Sequence, residues 1–312
     1  MAETYLSQAI EATTLSGAEY DANAKYLLAD KQVLARILKY TIREFQDMPV
    51  EDIIPCIGDD IEVSTRPLDP GLSNLRRASM AGTEDNVPGE GTIFYDIRFT
   101  AYIKKVGMKI LLNLEAQRSS NPKKLGYHLE NRIIFYLARM VSAQKMTEFF
   151  HDDYDSLCPV RSIFICMDSR STEDSIEEIS LDRKTVFGNT SRPHSTDLIK
   201  GIIINIRRGR NLKTSQNRLI AMLETLLSPK DTAAKKQILT SEYGMVMTAE
   251  LERRIQTMCN LSEGLIENAI EEERLDAIER MIKANATKEQ ILSYGYTADE
   301  YEEAEKSLFT NA

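Results

Sequence analysis

Residues 92–117 restrict the folds open to this chain more than any other stretch. Residues 92–103 place Ile93, Tyr95, Ile97 and Phe99 on one parity, and Phe94, Asp96, Arg98 and Thr100 on the other. After a turn at 104–109 that contains Gly107, the alternation resumes over 109–117. There Ile110, Leu112, Leu114 and Ala116 share one side, and Leu111, Asn113, Glu115 and Gln117 the other. A period of two is the period of a β-strand, and two such runs across a short turn predict an antiparallel hairpin. Its apolar side must be covered, and the chain supplies the cover. Residues 127–146 carry Ile133, Ile134, Leu137, Met140 and Val141 at helical spacing, and apolar runs at 161–167 and 201–206 read as buried strands. Strands interleaved with helices predict an α/β fold.

The flanks complete the outline. One helix is expected over 20–46, with Leu34, Ile37, Leu38, Ile42 and Phe45 on a single face and Pro49 just after its end. A short strand is expected near 61–64, then a long loop over 66–91 rich in Gly and Pro. Residues 169–197 are polar, with room for one edge strand near 178–181. From 212 onward the pattern is helical. Capping boxes at Thr287 with Gln290 and at Thr297 with Glu300 predict short helices joined by tight turns.

Charge is unevenly placed. The net charge is −9, and residues 248–312 alone hold 15 acidic and 7 basic residues, a net of −8. The remainder is almost neutral, which leaves room for a local basic groove but not for a protein that coats nucleic acid by bulk charge. No long uncharged apolar run exists, so no membrane partner is expected, and scattered cysteines suit a reduced, cytoplasmic setting.

Asp96 and Glu115 are the residues on which chemistry would turn. If the hairpin pairs as drawn, two carboxylates meet at one end of the sheet, where a cation would relieve their repulsion. A hard, oxygen-seeking ion such as Mg²⁺ or Mn²⁺ suits such a site. Spacing alone leaves a second reading open, in which both acids are solvated on an exposed sheet face and neutralised by Arg98 and Arg118. Farther on, residues 199–223 contain Lys200, Arg207, Arg208, Arg210, Lys213 and Arg218 and no acid. Arg207, Arg208 and Arg210 follow directly on a buried strand and read either as a DNA backbone track or as a basic surface facing the acidic tail.

The order of elements, with Tyr95-Asp96-Ile97-Arg98-Phe99 and Leu114-Glu115-Ala116-Gln117, resembles the PD-(D/E)XK nuclease superfamily. More narrowly, it is similar to the branch known as PD-(D/E)XK nuclease family transposases, related to recombination-promoting nucleases. The resemblance extends through Phe135-Tyr136-Leu137-Ala138-Arg139-Met140 and Ser162-Ile163-Phe164-Ile165-Cys166-Met167 to Met258-Cys259-Asn260-Leu261-Ser262, covering roughly residues 18–265.

The resemblance implies a restriction-endonuclease-like αβββαβ core with a mixed sheet over 18–210, followed by a helical, acidic region over 211–312. It implies that Asp96 and Glu115 hold Mg²⁺ or Mn²⁺ together with the Ala116 carbonyl, and that Gln117 stands where the superfamily usually has Lys. Asp21 is the candidate for a further acid from the first helix. The implied activity is metal-dependent hydrolysis of DNA phosphodiesters, linked to mobile elements or recombination. The alternative is a nuclease-fold protein that has lost cleavage and acts in binding or assembly. The C-terminal helices are the candidate surface for homo-oligomer formation.

Overall fold

The computed structural model describes residues 15–64, 84–87, 91–117, 120–167, 174–182, 185–188, 197–207, 215–228, 231–284 and 286–310. The helix expected over 20–46 is divided in two, α1 (Leu15–Leu28) and α2 (Lys31–Thr41). Asp30 divides them. Its backbone is extended, and its carboxylate accepts the Gln32 N–H at 2.8 Å, capping α2. Leu34, Ile37, Leu38, Ile42 and Phe45 are all buried, as their spacing predicts. Pro49 does not merely follow a helix; it precedes the short α3 (Val50–Ile53). The strand expected near 61–64 is β1 (Glu62–Val63).

The stretch expected as one loop over 66–91 contains β2 (Glu84–Val87), which pairs with β3 (Gly91–Phe94) as a separate two-stranded sheet. Residues 65–83 and 88–90 lie outside the described residues. The run expected as one strand over 92–103 is likewise two, because the chain bends at Asp96 before β4 (Ile97–Ile103). The bend reverses the faces. Tyr95 packs in one core cluster and Ile97 and Phe99 in the other, so these residues do not share a side as unbroken alternation required.

A turn with Gly107 at φ +62° leads into β5 (Met108–Gln117). Then come α4 (Pro122–Leu125), α5 (Leu129–Ser142), β6 (Val160–Cys166), β7 (Ser175–Ser180) and β8 (Ile199–Asn205). The main sheet has the order β1-β4-β5-β6-β8-β7. It is mixed: β5, β6 and β8 run parallel, and β1, β4 and β7 pair antiparallel to their neighbours. Every residue of β6 is buried, as a central strand covered on both faces requires.

Helices cover both faces. On one side α1 and α2 pack on Ile97, Phe99, Leu112, Leu114, Ile163 and Ile202. On the other, α5 packs Ile133, Leu137 and Met140 against Leu111, Phe164 and Ile203. Ile134 is exposed rather than inward, since residues adjacent on a helix cannot both face the sheet. The polar parity of β5 is not solvated: Asn113, Glu115 and Gln117 are all buried beneath α5.

Beyond residue 210 follow α6 (Arg218–Leu227), α7 (Thr232–Ser241), α8 (Ala249–Lys283), α9 (Lys288–Ser293) and α10 (Ala298–Thr310). The expectation of short helices fails at α8, a single helix of 35 residues. Both capping boxes form, Thr287 with Gln290 and Thr297 with Glu300. The main core crosses the 210/211 boundary, because Leu219, Leu223, Leu251 and Ile255 belong to the same cluster as α1 and α2. Ile278, Ile291 and Ala304 form a small separate cluster. Among the described residues no helix is long and apolar enough to cross a membrane.

Gly201, in the middle of β8, sets how closely α5 can approach the sheet. A Cβ there would collide with the Ile133 methyl and touch Leu137 at 3.5 Å. Ile133 is β-branched and fully buried, so it has little freedom to turn aside. Gly201→Ala is expected to cost about 1–3 kcal/mol through overpacking, measured as a lowered urea midpoint with an unchanged slope.

Candidate functional site

The β4–β5 ladder ends at Ile97 opposite Leu114. The next pair would be Asp96 and Glu115, and here side chains replace the ladder. The Asp96 N–H donates to Glu115 Oε1 at 3.0 Å, and the Ala116 N–H donates to Asp96 Oδ2 at 3.1 Å. Each carboxylate thus accepts a main-chain N–H of the other's strand. The bend at Asp96 is thereby satisfied without an orphaned donor, and the sequence-predicted acids are brought together at the expected sheet end.

Neither acid is solvated. Asp96 is 2% exposed and Glu115 0%, and buried charge demands compensation. It comes from both faces of the sheet. From α1, Lys25 Nζ lies 3.0 Å from Asp96 Oδ1 and 2.6 Å from Asp21 Oδ2. From α5, an Arg132 guanidinium nitrogen lies 3.2 Å from Glu115 Oε2. Arg132 also donates to the hydroxyls of Tyr127 and Tyr136, both at 2.8 Å, and sits 5.0 Å from the centre of the Tyr136 ring. Asn113 Nδ2 completes the set at 3.3 Å from Glu115 Oε1. Arg98, a neutralising residue in one reading of the sequence, lies over the Tyr95 ring, and Arg118 is outside the described residues.

These surroundings shift the protonation of the cluster. Burial, with repulsion from Asp96, pushes the Glu115 carboxyl up to about 8 despite Arg132. Burial also raises Asp21, against the pull of Lys25. For Lys25, burial opposes the charge, but Asp96 and Asp21 outweigh it and hold the ammonium protonated.

Gln117, the last residue of β5, is buried on the Glu115 side, and its carbonyl accepts the Met167 N–H at 3.0 Å. A divalent cation suits the donor chemistry at this place. An ionised carboxylate offers about four lone-pair sites; among the described residues Asp96 accepts at two and Glu115 at three. Three acids face two cations, so the cluster carries one negative charge when all three acids are ionised. Among the described residues no group of three His, Cys, Asp or Glu side chains converges at metal-binding spacing.

The basic segment begins at the same edge. Gln117, Cys166 and Asn205 lie in register across the three parallel strands, so the residues after β8 leave the sheet where β5 ends. Arg207 lies between Asp174 at 3.7 Å and Glu224 at 3.9 Å. Arg208 and Arg210 lie outside the described residues.

Reading the sequence did not single out Lys25. Its one signal was position: it falls between Ala24 and Leu27 on the buried side of α1, four residues after an acid. Arg132 and Tyr136, four apart on a helix, meet beside the acid pair, with Arg132 donating both to Glu115 and to the Tyr136 hydroxyl.

Glu115 has a measurable consequence. A carboxyl raised from its ordinary value to about 8 binds its proton more tightly in the folded than in the unfolded chain. Its contribution to stability is present below about 4.5 and is lost as pH rises toward about 8. Chemical denaturation from pH 5 to 8.5 should therefore show stability declining, and Glu115→Gln, which cannot ionise, should flatten that decline. An identical slope in the variant would remove Glu115 as the titrating group.

Comparison of the chain with protein-family models, curated proteins and solved structures found no match to any of them.

Proposed function

We propose that the chain is a metal-dependent DNA endonuclease on a restriction-endonuclease-like core, of the PD-(D/E)XK type that its sequence resembles, with a role in mobile-element or recombination chemistry. One observation carries the reading: two acids separated by 19 residues hold each other's strand at the end of a mixed sheet, buried and cation-compensated. Burying two carboxylates side by side is costly for a surface of no purpose.

Asp96, Glu115 and the Ala116 carbonyl would hold Mg²⁺ or Mn²⁺, which supplies an acidified water and stabilises charge on a phosphate. The protein's own groups do the rest. Arg132 holds Glu115 Oε2 in place, and the Ala116 N–H holds Asp96 Oδ2. Gln117 carries an amide that orients a water by hydrogen bonds but brings no charge. Arg207, Arg208 and Arg210 leave the sheet at the same edge and would track the DNA backbone by phosphate contacts, which fix position without reading sequence. Arg207 contributes less, being already held by two acids.

The reading is tested with supercoiled plasmid incubated with Mg²⁺, with Mn²⁺ or with EDTA. Nicked or linear product should appear with either metal, vanish in EDTA, and vanish in Asp96→Ala. A second reading, a binding or assembly protein that has lost cleavage, is favoured by one fact: each carboxylate oxygen of the pair already accepts from a protein donor. It predicts DNA retardation in gels with the plasmid left intact under all three conditions.

The backbone track has its own test. Arg208→Glu with Arg210→Glu should weaken binding to all duplexes alike and reduce the salt slope by about two phosphate contacts. Unchanged affinity and slope would assign those arginines to solvent.

A further inference from the structure

Two lysines among the described residues are no more than 1% exposed, and they do different things. Lys235 donates to the Leu226 carbonyl near the end of α6, an ordinary use of a cation at a helix C-terminus. Lys25 instead places its ammonium between two carboxylates, Asp21 at 2.6 Å and Asp96 at 3.0 Å. A buried ion pair of this kind adds little stability over apolar packing of the same volume. Its neighbours Ala24, Leu27 and Leu28 show that the surrounding core would accept an apolar side chain. The charge at Lys25 therefore needs another account.

The position supplies one. Asp96 is the acid that Lys25 touches, and Gln117, two positions after Glu115 at the end of β5, brings no positive charge. On the opposite face Arg132 serves Glu115. The acid pair is thus flanked by one cation on each side of the sheet, both delivered by helices. Asp21, one turn before Lys25 on α1 and a third exposed, lies at the more open side of the trio and offers the ammonium a second carboxylate.

We propose that Lys25 is the resident cation of the acid pair, shared between Asp96 and Asp21, and that it sets the affinity of the pair for a divalent ion by competing with that ion for Asp96. This rests on the metal site proposed above. An ammonium and a divalent ion sharing one carboxylate repel each other at short range, so the neutral variant binds metal more tightly. Asp21 moderates the competition by drawing the ammonium toward itself.

The test is direct titration with Mn²⁺, following loss of the free-ion EPR signal, in wild type, Lys25→Met, Lys25→Arg and Asp21→Asn. Lys25→Met should bind at least tenfold more tightly, and Lys25→Arg should stay within about threefold of wild type because it keeps the charge. Asp21→Asn should bind several-fold more weakly, since the ammonium is then left to Asp96 alone. Should Lys25→Met fail to fold, Lys25→Gln, which also lacks the charge, decides the matter, tighter binding supporting the proposal and unchanged binding overturning it. Equal affinity in all four proteins overturns the competition and leaves the metal site standing. Absence of Mn²⁺ binding in every protein overturns the metal site, and the proposal with it.

Discussion

The exchange of hydrogen bonds between Asp96 and the Glu115–Ala116 segment is what the rest of this arrangement depends on. Where β4 bends away, two main-chain N–H groups lose their ladder partners, and two carboxylates take them. The bend lets Tyr95 join the α5 side while Ile97 stays on the α1 side. It also fixes the acids at the seam between the two cores. An acid in such a seam is out of water and needs a cation. One cation comes from each adjoining helix, and both helices then have a polar anchor at the sheet as well as an apolar face.

The anchors differ in kind. Arg132 is a planar fork that engages a carboxylate and two phenol hydroxyls at once, with an aromatic face beneath it. Lys25 is a point charge on a flexible stem, shared by two acids on one side. The Glu115 side is therefore held by more directions of contact than the Asp96 side. Gly201 contributes from beneath, because the Glu115 side requires α5 to sit close to β8.

Much of this was legible in the sequence. Period-two alternation located β5 to within a residue and the end of β4, apolar runs located β6 and β8 to within two residues, and both late capping boxes formed. What alternation could not register was an interruption. A bend at one residue preserves the composition of a strand while reversing its faces, so Tyr95 was placed with Ile97. Asp30 divided a helix for a related reason: its cap competes with continuation, and a continuous apolar stripe hides the break. The acid pair was legible because its members lie on adjacent strands. Lys25 was not, because its meeting with Asp96 is tertiary, spans 71 positions of sequence, and is set by how α1 docks rather than by any local pattern. The burial of Asn113, Glu115 and Gln117 was hidden in the same way, since a polar parity reads as solvent-facing until a helix is known to cover it.

The docking of α1 has a consequence for the order in which the chain acquires its structure during synthesis. Asn23 donates to the Arg254 carbonyl, Arg36 to that of Tyr243, and Gln32 exchanges two hydrogen bonds with Val246, contacts 207 to 231 positions apart. The face of α1 and α2 that meets these groups has nothing to meet while the ribosome is still making the sheet strands. A nascent chain that has completed β8 already holds both acids of the pair, yet the segment that seats α1 has not been made. Loop closure over such a span is slow relative to local pairing, so α1 and α2 gain these anchors only after the turn before α8 and the first turns of α8 have emerged.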